Sequence, residues 1–88
     1  MINIDKVPRG SCVIVKWEDT VTTAKWTNQD EFLLRRLELC ATVGVLMGSD
    51  KKVVHIAHNL GSEDCDGTTI PRSNIVSVEV VKRARKTP

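Results

Sequence analysis

The chain predicts a small, mainly-β domain: a five-stranded barrel with one short helix between its first and second strands. Three observations carry this expectation. The chain has only 88 residues. Apolar and β-branched residues recur with period two in several short runs, and turn-forming residues separate those runs. Strands this short need curvature and closure to bury one face, which favours a barrel. A single domain is the most that this length allows. Such a chain buries only about 60–65% of the surface its unfolded form exposes, so the core is thin. A groove, or a site shared between subunits, is expected rather than an enclosed active site.

The elements follow in order. Residues 1–10 read as a polar lead-in ending in the turn signal Pro8-Arg9-Gly10. Residues 11–17 alternate, with Val13, Val15 and Trp17 on one face and Cys12, Ile14 and Lys16 on the other. Residues 18–26 show no period and read as a loop. Thr27 and Asp30 resemble a capping box ahead of Phe32, Leu33, Leu34 and Leu37, which predicts a helix over 28–36. Residues 39–47 read as a buried strand in which Gly44 marks a bulge or sharp bend. Residues 48–51 form a hairpin turn. Residues 53–60 return, with Val54, Ile56, His58 and Leu60 on one face. An acidic loop over 61–67 leads to a short strand ended by Pro71, and residues 75–81 make the last strand. The domain is thus assigned to residues 1–81, and 82–88 to a basic, mobile tail.

Composition excludes several classes. Cys12, Cys40 and Cys65 are odd in number and contain no CxxC pair. A disulfide framework or structural zinc site is not expected, and a reducing cytoplasm is. No apolar run reaches the roughly 20 residues that span a bilayer, and no secretory signal is visible at the start. The net charge of +2 conceals an asymmetry: residues 1–81 carry nine basic and eleven acidic side chains, a net of −2, while Lys82, Arg83, Arg85 and Lys86 make the tail basic. A weakly acidic body lacks the electrostatic footprint of a nucleic-acid binder, although the tail alone can hold a phosphate backbone weakly.

The phrase Ile70-Pro71-Arg72-Ser73-Asn74-Ile75-Val76 resembles the final turn of SH3-like barrels, in which Pro ends one strand and a single tight turn feeds the last. The signature that opens signalling SH3 domains is missing, so recognition of proline-rich peptides is not implied. The wider pattern of Trp17-Glu18-Asp19, Trp26, Val43-Gly44-Val45-Leu46, Thr69-Ile70-Pro71 and Ile75 is similar to a family of small phage- and prophage-encoded proteins, largely of unknown function. The resemblance implies an SH3-like or Sm-like barrel acting in the cytoplasm of an infected bacterium. It carries over no catalytic residues. By analogy with phage proteins that evade host defence, it implies an oligomer that binds a nucleotide signal.

Candidate ligand-binding residues are Trp17, Asp19, Thr23, Lys25, Trp26, Thr69 and Arg72. Trp17 and Trp26 bracket a polar loop and either stack on a planar ligand or pack in the core. Asp19 either fixes the loop backbone or faces a ligand. Thr20, Thr22, Thr23 and Lys25 supply the hydroxyls and the cation that a phosphate needs, and equally those of any solvated loop. Arg72, beside Thr68 and Thr69, suits bidentate capture of phosphate or carboxylate, or is simply exposed. His55 and His58, three apart on a strand, point to opposite faces and cannot chelate one metal. His58 is expected in the core. Glu63, Asp64 and Asp66 lack the spacing of a calcium loop.

No Ser-His-Asp or Cys-His order and no Gly-rich phosphate loop is present, so neither catalysis nor a cofactor or metal is expected. The expected function is non-catalytic: a homo-oligomeric phage accessory protein that sequesters a small anionic ligand such as a nucleotide. Nucleic-acid binding through the basic tail and inhibition of a host protein are the alternatives.

Overall fold

In a computed structural model, which describes residues 3–20 and 25–85, five antiparallel strands form one sheet in the order β4-β3-β2-β1-β5. The strands are β1 (Cys12–Asp19), β2 (Glu38–Ser49), β3 (Val53–Leu60), β4 (Cys65–Pro71) and β5 (Ile75–Lys82), with one helix, α1 (Gln29–Leu33), between β1 and β2. The mainly-β expectation and the position of the helix hold. No pairing joins β4 to β5, so the sheet has two open edges and hydrogen bonding does not close it into a barrel. A 3-10 turn, Arg72–Asn74, links those two strands, with Pro71 extended before it (φ −62°, ψ 128°). This is the tight turn that the Pro71 phrase predicts.

The alternation in β1 places Val13 and Val15 in the core, both with no exposed surface. They meet Leu46, Val54, Ile56, Ile70 and Val78 from the other strands. The N-terminal segment is not merely a polar lead-in. It makes a 3-10 turn over Ile4–Lys6 and delivers Ile4 and Val7 into the same core. Their i, i+3 spacing places both on one side of that tight turn. Gly10 follows with φ +89°, a left-handed conformation that glycine adopts without steric cost.

Several strand ends run further than the pattern suggests: β2 continues to Ser49 into the expected turn, β4 begins at Cys65 within the expected acidic loop, and β5 takes in Lys82 from the expected tail. β1 continues through Glu18 and Asp19, and β2 starts at Glu38, because Glu18 pairs with Leu39 and Asp19 with Glu38. The helix is shorter than expected. Asn28, not Thr27, is its N-cap, accepting from the Asp30 amide at 2.8 Å, while the Thr27 hydroxyl donates to Glu31 at 3.2 Å.

Gly44 is not the bulge. The β2 irregularity falls between Leu46 and Gly48, and a second one in β3 falls between Ala57 and Asn59. Gly44 instead allows a close approach. A side chain there would overlap the Ala57 carbonyl and come within 2.8 Å of Ile56 Cγ2. Gly67 does the same from β4, where a Cβ would overlap the Ile56 carbonyl and lie 2.9 Å from Ala57 Cα. Two glycines on flanking strands thus crowd the β3 backbone at Ile56–Ala57.

The β3 irregularity also reverses the expectation for His58. Ala57 takes the buried position and His58 is exposed. Its Nδ1 lies 2.9 Å from the Val43 carbonyl and its Nε2 3.0 Å from the Thr68 hydroxyl. A carbonyl only accepts, so Nδ1 carries a proton and donates it to Val43. The ring bridges the fork at which β3 leaves β2 to pair with β4 alone.

The tail is anchored at its start. The Ala84 amide donates to the Ser11 hydroxyl at 2.9 Å, and Ser11 is wholly buried. Residues 86–88, the end of the expected mobile tail, lie outside the described residues.

Candidate functional site

The site begins with an imbalance in strand pairing. β3 accompanies β2 only from Val45 onward, and β5 begins at Ile75 opposite Trp17. Beyond Trp17 and Cys40 the β1–β2 pair therefore runs on alone, with no sheet on either side, and carries α1 beyond it. This is an arm. The molecule measures 59 Å along its longest axis, with a radius of gyration of 16.0 Å. A compact chain of this length has about 12 Å.

The arm places its apolar side chains in water. Trp26 is fully exposed, and Leu33 and Leu34 are each 72% exposed. Phe32, Leu37 and Leu39 are exposed as well. The apolar run that marks the helix is therefore not the core face expected of a helix packed on a domain. Phe32, Leu33, Leu37, Arg35 and Arg36 line an open groove of about 380 Å³. Arg36 reaches back to the carbonyls of Leu33 and Arg35, at 3.4 and 3.1 Å. Arg35 and Arg36 were not singled out by sequence reasoning. The signal available was a pair of guanidiniums directly after three consecutive apolar residues.

The seven candidate residues fall in separate places. Trp17 belongs to the body: its indole N–H donates to the buried Thr42 hydroxyl at 2.9 Å, and its ring packs against the core. Asp19 ends β1 and accepts from the amide of its neighbour Thr20 at 2.8 Å. Lys25 and Trp26 are exposed neighbours at the arm. Thr23, with Thr22, lies outside the described residues.

Thr69 and Arg72 sit on β4 and the turn after it. Thr69 faces His55 across the ladder, with its hydroxyl 3.0 Å from Nδ1. Arg72 is already engaged. It grips both carboxylate oxygens of Asp5 at 3.0 Å and donates to the Asp50 carbonyl at 2.9 Å. The Asp5 hydrogen bond raises the Arg72 pKa and the Arg72 guanidinium lowers that of Asp5. Asp50 is also lowered, chiefly by the amides of Lys52 and Val53 that it accepts. Arg72 therefore acts as a clasp joining the N-terminal turn, the β2–β3 turn and the end of β4.

A second groove of about 330 Å³ lies along β4, lined by Met47, His55, Ala57, Cys65 and Thr68 among others. Its polar side chains His55, Thr68 and Thr69 are already paired with protein groups. Cys40, half-buried at the base of the arm, has its thiol pKa raised, first by burial and then by Asp19 and Glu38. This disfavours the thiolate that nucleophilic chemistry needs. Among the described residues no group of three or more His, Cys, Asp or Glu side chains could hold a metal. No helix there is long and apolar enough to cross a membrane.

The chain matches no protein-family model, no curated protein and no solved structure.

Proposed function

We propose that the protein is a non-catalytic binding module that takes a small anionic, nucleotide-like ligand at its arm and acts by sequestering it. The observation that carries this reading is Trp26, whose indole is wholly open to solvent beside the exposed Lys25. An aromatic face stacks on any base, and an adjacent ammonium complements phosphate. Arg35 and Arg36 add exposed cations at the far end of α1. The resemblance to small phage proteins with SH3-like or Sm-like barrels supports a setting in which the ligand is a host immune signal. The exposed leucines at and after the end of α1 favour protein contact as a second use of the same arm.

Calorimetric titration of the full chain with a panel of mono- and cyclic dinucleotides tests the reading. One member of the panel binds, and Trp26→Ala weakens it by roughly 5- to 150-fold, the equivalent of about 1–3 kcal/mol per stacked base. Flat titrations across the panel, or Trp26→Ala binding like the parent, overturn it.

A further inference from the structure

We propose that the arm is a self-association surface: α1 and the strand ends that carry it pack against the same segment of a second copy across a two-fold axis. This inference does not depend on a ligand. It rests on exposure, area and charge.

Four large aliphatic and aromatic side chains follow one another closely on the arm in water: Phe32 at 50%, Leu33 and Leu34 at 72%, and Leu37 at 54% exposure. Phe32, Leu33 and Leu37 line one groove, and Leu39 on β2 is also exposed, at 62%. Scattered exposed leucines are ordinary, but a contiguous group on a projecting element marks an interface.

The area is of the right size. The chain exposes 7086 Å², whereas a compact chain of its mass exposes about 5,200 Å². The excess of about 1,900 Å² per chain belongs to a molecule that does not complete its own packing. If each of two chains hides roughly half of that excess, the interface totals about 1,900 Å², the area of a stable homodimer.

The charges identify the second copy as the occupant. Asp30 and Glu31 stand at the start of α1, and Arg35 and Arg36 follow its end. Among the described residues none of the four forms an ion pair. A two-fold axis across the arm sets the two helices antiparallel, and the acidic start of each then meets the basic end of the other. The patch is therefore complementary to itself, as an isologous contact requires.

Sedimentation velocity on the full chain, over a concentration series from nanomolar to high micromolar, tests the proposal. The parent sediments as more than one chain at micromolar concentration. The double variant Leu33→Glu/Leu37→Glu sediments as a single chain with the same circular dichroism, its dissociation constant raised by roughly a hundredfold or more. Should the double variant lose the sheet signal, the single variant Leu34→Lys at the helix cap reads the same contrast. A parent that stays a single chain throughout overturns the proposal. So does an oligomer that survives these substitutions, or a parent that gains mass only when a foreign protein is added.

Discussion

Replacing Gly67 with alanine tests the crossing at which β3 is squeezed between its neighbours. A Cβ at Gly67 overlaps the Ile56 carbonyl oxygen and lies 2.9 Å from Ala57 Cα. Both obstacles are backbone, so neither can rotate away, and the β3–β4 ladder must shift. Forced overpacking of this kind costs about 1–3 kcal/mol. Alanine recovers part of it, roughly 0.4–1 kcal/mol, by restricting the unfolded chain. The net loss is about 1–2 kcal/mol, against a total stability of roughly 4–13 kcal/mol for a chain of this length. At about 4–8 °C per kcal/mol, the melting temperature falls by roughly 4–16 °C. Thermal unfolding followed by circular dichroism reads this directly. Gly48→Ala is the control, because nothing lies within 4 Å of a Cβ there. It should be neutral or slightly stabilising. If Gly67→Ala melts with the parent, or Gly48→Ala falls as far, then close approach is not what the glycine provides.

Two further outcomes follow from the clasp and the anchored tail. Asp5 and Asp50 both have carboxyl pKa values held below the usual 3.8. The unfolded chain therefore binds protons first on acidification, so this stabilisation is complete above about pH 5 and is lost as pH falls through the lowered native values. Asp5→Asn should lower the urea midpoint at neutral pH, and the gap to the parent should narrow at pH 3. A gap of equal size at both pH values refutes the ion-pair account. Ser11→Ala strips the half-buried Ala84 amide of its acceptor, and should cost about 0.5–1.5 kcal/mol. Amide exchange at Ala84 should quicken more than at Val54, and equal change at both sites argues against a local anchor.

The body of the sheet was legible because its signals are local. Val13 and Val15 alternate, Pro71 must end a ladder, and both predict the observed strand and turn. What sequence could not supply depended on partners far along the chain. Arg72 looks like an anion-binding side chain until Asp5, 67 residues away, occupies it. His58 follows the face of Val54 and Ile56 by counting, but the irregularity after Ala57 shifts the count by one residue. The Gly44 signal fits a bulge or bend and a close approach equally well, and only the position of β3 distinguishes them. The run from Phe32 to Leu37 predicts a helix that in the structure ends at Leu33, and hydropathy alone does not say whether its apolar side chains cover the chain's own core.

The pairing of β1 with β5 has a consequence for how the protein is made. Val13 lies opposite Val80, and Ser11 holds Ala84. The first strand to leave the ribosome thus waits for the last. While β5 is still in the exit tunnel, one edge of β1 has no partner and Val78 is missing from the core. Folding of the full core therefore waits until β5 has emerged. It requires closing a loop of almost the whole chain, which places it with the millisecond-to-second folders rather than the microsecond ones. A nascent chain arrested before Ile75 should remain protease-sensitive, and release of the final strand should protect it in a single step.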